Sequence, residues 1–137
     1  MRRAGGASLV VVIVLAMMGS LWAADGWYLL IPPLSEYDER AKVLSGYKIL
    51  DNKPLSQWAH QGAYDSASEC EAMRKNLTMV SQRVYLMSSE EYSKALRAGT
   101  DPFMLKNWRE SVESHNAEVR MFMASRCIRS DDPRLGR

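Results

Sequence analysis

Two cysteines and two histidines are the residues of this 137-residue chain best suited to chemistry. Cys70 and Cys127 could act as reactive thiols, metal ligands or a disulfide, and His60 and His115 as bases or ligands. No Cys-x-x-Cys and no closely spaced histidine pair accompanies them, so a disulfide is the favoured use of the cysteines. Carboxylates adjoin at Asp38–Glu39, Glu90–Glu91 and Asp131–Asp132, but no second group converges on them as acid–base work requires. A G-x-S-x-G elbow, an H-E-x-x-H helix, a phosphate-cradling glycine loop and a dinucleotide fingerprint are all absent. The sequence therefore assigns no catalytic residue, no metal ligand and no cofactor. A non-enzymatic protein that binds a partner or small ligand is the leading expectation. A small hydrolase or metal-dependent enzyme using His60, His115 and nearby acids is one alternative, and a membrane-tethered accessory subunit that retains its leader is another.

Three further groups invite a function. The tail "SRCIRSDDPRLGR" sets Cys127 before Asp131, Asp132, Pro133 and Arg134. Aspartate and proline form turns, and Arg134 can pair with either acid, so the tail reads as a fastening. If left exposed and unpaired, Asp131, Asp132 and Arg134 would instead form a recognition motif. Tyr28, Trp58 and Tyr64 could line a ligand groove, against the plainer use of aromatics as core area. The methionines Met73, Met79, Met87 and Met104 are dispersed, unlike a soft-metal site, and are expected to fill core. Asn76 opens a glycosylation sequon inside a predicted helix, where acceptors are uncommon.

Charge and patterning set the compartment. Arg2 and Arg3 precede the apolar run Ala7–Met18 and the small residues before Asp25, the pattern of a signal peptide over 1–23. An uncleaved anchor over 7–24 is the alternative, being of marginal length to span a bilayer. The chain carries 18 basic and 16 acidic side chains, and both leader arginines are among the former. The exported part is then neutral, which excludes a charge-driven nucleic-acid binder and leaves membrane contact only to an uncleaved leader. A periplasmic or secreted location is oxidising, and a Cys70–Cys127 bond there would stabilise the fold by about 4 kcal/mol.

The elements that would position these residues are legible in part. "GWYLLIPP" reads as a strand stopped by prolines, and residues 34–54 as a loop. Trp58, His60, Gly62 and Tyr64 alternate with small or polar residues, predicting a second strand with those four on one face. Ser66 and Glu69 make a capping box, after which Ala67, Cys70, Met73, Leu77, Val80 and Val84 trace a core-facing helical stripe. Ser88 and Glu91 repeat the box and predict a separate shorter helix ending at Gly99. Asp101 and Pro102 open a third, whose stripe runs through Leu105, Trp108, Val112, Val119 and Phe122. Residues 126–130 either extend that helix or form a final strand beside the second strand.

Taken together, "GWYLLIPP", "PLSQW", "YDSASECE" and "SRCIRSDDPRLG" resemble a group of uncharacterised small exported bacterial proteins. The matching positions are Trp27, Pro32, Pro33, Trp58, Asp65, Ser66, Cys70, Glu71, Arg126, Cys127, Asp131, Asp132, Pro133, Arg134 and Leu135. The resemblance spares residues 72–120; it implies export and paired cysteines but no activity. The expected fold is a single small α+β domain over 24–137. Two or three short antiparallel strands would pack on a long amphipathic helix, with one or two further helices and one disulfide.

Overall fold

The structure is a computed structural model and describes residues 26–38 and 46–136. The expectations for the leader, 1–23 or 7–24, and for the centre of the 34–54 loop fall outside the described residues. Three strands, β1 (Trp27–Ile31), β2 (Ala59–Tyr64) and β3 (Arg126–Arg129), form an antiparallel sheet in the order β2-β1-β3. Two helices, α1 (Ala67–Arg97) and α2 (Pro102–Ala124), pack along one another, and α1 touches all three strands. The Cys70–Cys127 disulfide closes a separation of 57 residues and ties the first turn of α1 to β3. The small α+β class with one disulfide is thus what the chain adopts.

The final strand pairs with β1, not with the second strand as expected. Composition explains the exchange. Leu29, Leu30 and Ile31 of β1 are buried side by side, which suits a middle strand covered on both faces. Exposed His60 and Gln61 in β2, and exposed Arg126 and Arg129 in β3, suit edges.

One sheet face carries Leu29 opposite Cys127 and turns towards α1. The other carries Leu30 and Ile128, closed by Trp58 and by two single 3-10 turns, Leu55–Gln57 and Pro133–Leu135. Leu30, Leu55, Trp58, Ile128 and Leu135 form one buried cluster there, with Tyr28 against it. The C-terminal tail is therefore held twice, by the disulfide and by Leu135.

The predicted single face of Trp58, His60, Gly62 and Tyr64 does not exist. Pairing shifts between Leu29 and Leu30, so that Gly62 faces Leu29 but His60 faces Leu30, and Gln61 is the extra residue. A bulge reverses the alternation. It leaves Trp58 and His60 on the turn-covered face and Gly62 and Tyr64 on the helix-covered one.

The two helices predicted across residues 67–99 are one. Ser66 caps α1, its hydroxyl accepting from the Glu69 amide at 3.2 Å, but nothing interrupts the helix at Ser88. No glycine or proline lies between Leu77 and Ala98, so the backbone continues. At about 1.5 Å per residue α1 spans about 46 Å. It ends where expected, at Gly99: the Gly99 and Thr100 amides donate to Leu96 and Ala95 carbonyls, and φ at Gly99 is +67°. Asp101 then caps α2 through Phe103 and Met104 amides, with Pro102 in the first turn.

Residues 34–38 and 46–54 are more ordered than a plain loop. Leu34 bridges Ile49, Ser35 and Leu50 amides donate to Lys48 and Pro33 carbonyls, and Asp38 donates to Gly46. Both segments dock on α2: the Tyr37 hydroxyl donates to Glu113 at 2.6 Å, and Arg120 donates to the Tyr47 carbonyl at 3.1 Å. The hydrogen bond to Glu113, then burial, then the negative charge of Glu113, push the Tyr37 phenol up to about 12.

Candidate functional site

The stripe expected to face the core is where the structure departs furthest from the sequence reading. Cys70 is fully buried, but Met73 is 37% exposed, Val80 53% and Val84 38%. Met87, four turns beyond the first of them, is 62% exposed. The inward side of α1 instead runs through buried Ser81 and half-buried Arg74, Tyr85, Ser88 and Tyr92. Small residues at 81, 88 and 95 recur every seventh position on that side, letting the helices approach closely.

Between the helices lies an open groove of about 540 Å³. Val84, Met87, Ser88 and Glu91 of α1 line it, with Asn107, Trp108 and Ser111 of α2. Every large hydrophobic side chain exposed among the described residues belongs to α1 or α2. Met73, Met79, Met87 and Met104, expected as core filling, are all in that exposed set. One acid, Glu91, enters the groove; its neighbour Lys94 lies 3.1 Å from it and 3.0 Å from Glu90. Hydrogen bonds to Glu90 and then Glu91 raise the Lys94 pKa. The lining holds no histidine or cysteine to activate Ser88 or Ser111. Such a surface takes up apolar groups.

The residues singled out from the sequence are dispersed. His60 sits on β2 with its ring against Tyr28, centroids 4.9 Å apart, while His115 is on α2, 3.8 Å from Glu118. No group of three or more His, Cys, Asp or Glu side chains among the described residues is arranged to hold a metal ion. Of the groove aromatics, Tyr28 and Trp58 meet in the turn-side cluster. Tyr64 is on the opposite face, its hydroxyl 2.6 Å from where a β-carbon on Gly62 would stand. The Trp58 indole donates to the Lys53 carbonyl at 2.9 Å, and the Arg126 guanidinium stands 5.2 Å over its ring. A smaller depression of about 380 Å³ beside it is lined by Lys53, Arg126 and Arg134 with Asp51.

The tail acids are engaged within the chain. Asp131 accepts two hydrogen bonds from Arg129, at 3.0 and 2.9 Å. Asp132 accepts from the Arg134 side chain at 3.0 and 2.7 Å, and from the Arg134 amide at 2.9 Å. The Arg134 guanidinium first, and then the Arg134 amide, hold the Asp132 carboxyl down at about 2, and the hydrogen bond to Asp132 in turn raises the Arg134 pKa.

Sequence reasoning placed Met73, Val80 and Val84 in the core and left Met87 and Trp108 out of any site. The available signal was a second helical stripe, Ser81, Tyr85, Ser88, Tyr92 and Ala95, beside the apolar one. A helix in a two-helix hairpin covers one such stripe with its neighbour and leaves the other to solvent. No protein-family model, no curated protein and no solved structure matches the chain.

Proposed function

We propose that this chain is a non-enzymatic, exported envelope protein that binds a partner through the α1–α2 hairpin. The observation that carries the reading is that every described exposed large hydrophobic lies on these two helices, and that Val84 and Met87 among them line the groove with Trp108. Apolar area left open in this way is characteristic of interaction surfaces. Export is supported by the leader-like pattern of residues 1–23 and by a disulfide, which fits an oxidising environment. No helix among the described residues is long and apolar enough to cross a membrane. Nothing in the placement of His60 and His115 favours the hydrolytic alternative.

A photo-activated cross-linker at Met87, compared with one at exposed Gln61 on β2, tests the proposal in the native envelope. A discrete adduct at Met87 and none at Gln61 is the expected result. Equal labelling at both positions would sink it.

A further inference from the structure

The exposed stripe of α1 has the spacing of a coiled-coil seam. Met73, Leu77, Val80, Val84 and Met87 follow one another at intervals of four, three, four and three residues. That is a period of about 3.5, which keeps side chains in register with a second helix rather than with a flat surface. The stripe is exposed or half-buried throughout, and Val84 and Met87 also wall the groove.

The charges along its edge specify which helix. Arg83 and Glu90 are both exposed, lie one heptad apart, and each precedes a seam position, at Val84 and Glu91. A two-fold axis crossing the stripe between them runs two copies of α1 antiparallel. It places each Arg83 against Glu90 of the second copy and each Val84 against the second Met87. The opposite edge, at buried Ser81 and half-buried Ser88, lies on the inward side of α1 and brings no like charges together. A surface that complements itself under rotation is what a symmetric dimer needs. A lipid surface is disfavoured, because Glu90 and Glu91 flank Met87 and would be driven against anionic headgroups.

We infer that the occupant of the apolar stripe and groove is a second copy of this chain, docked antiparallel along α1 with Arg83 facing Glu90 across a two-fold axis. This assignment rests on the hairpin being the binding surface.

Sedimentation of the purified, oxidised full-length protein tests it, with circular dichroism to confirm folding. The native protein is expected to sediment as a dimer at tens of micromolar, about the range of a modest interface. Met87→Glu, at an exposed position, should leave the spectrum unchanged and give a monomer. Arg83→Glu should weaken association about tenfold by setting like charges face to face. Arg83→Glu combined with Glu90→Arg should restore it, a rescue that non-specific apolar clustering would not give. A native monomer up to about 100 μM, or a charge swap without rescue, overturns the second-copy assignment. The cross-linker at Met87 separates the two readings: an adduct with a different protein ends this inference and preserves the proposed function. Absence of any hairpin-specific adduct ends both.

Discussion

Asp132 holds the chain's tail with one carboxylate, which caps the Pro133–Leu135 turn and clasps Arg134. Because its folded pKa, about 2, lies below the ordinary value of 3.8, its contribution is complete above about pH 3.8. It is lost as pH falls through about 2, when the acceptor gains a proton. An acid titration followed by amide NMR should therefore find the Arg134 resonance steady down to pH 3.8 and moving only below it. Movement centred at the ordinary carboxylate value would contradict the clasp. Arg134 could not be assigned to one of its two candidate acids from sequence. The choice depends on Arg129, which claims Asp131 from the end of β3.

At the scale of elements, caps that look alike in sequence differ in what they do. Ser66 precedes a real helix start and satisfies the Glu69 amide, so Ser66→Ala should cost about 1 kcal/mol. Ser88 begins the same four-residue pattern inside a continuous helix, where its neighbours' amides are already bonded. Ser88→Ala should thus be neutral or stabilising by a few tenths of a kcal/mol, roughly its gain in helix propensity. Urea unfolding of the two variants decides the point. The capping-box pattern alone misled because it describes local chemistry, whereas a helix stops only if the backbone has somewhere better to go. The second strand forms as expected, but not with one uninterrupted face. Alternation over Trp58–Tyr64 was read correctly residue by residue, but one extra residue at Gln61 reversed its phase.

For the whole molecule, the Cys70–Cys127 bond ties the start of α1 to β3, the strand that follows α2 in the chain. Replacing both cysteines by serine should lower stability by about 4 kcal/mol on the chain-entropy account, measured as a drop in the urea midpoint with a steeper slope, because the unfolded chain without the cross-link is less compact. A midpoint that stays in place would mean that Leu135 and the turn-side cluster hold the tail unaided. By itself the sequence determined the elements with strong local causes: β1 ended by Pro32 and Pro33, the starts of α1 and α2, the glycine stop at Gly99, and the pairing of the only two cysteines. Those depend on backbone conformations and covalent options that a few adjacent residues fix. Only the tertiary structure decided that β1 is the middle strand, that the Asp131 and Asp132 carboxylates serve separate arginines, and which side of α1 faces α2. The α1 helix carries two adjoining stripes, one apolar and one of small and aromatic residues. Periodicity marks both, but only the position of α2 says which is covered. The covered one is the small-residue stripe, because it allows the closer approach, and the apolar stripe is left facing outward.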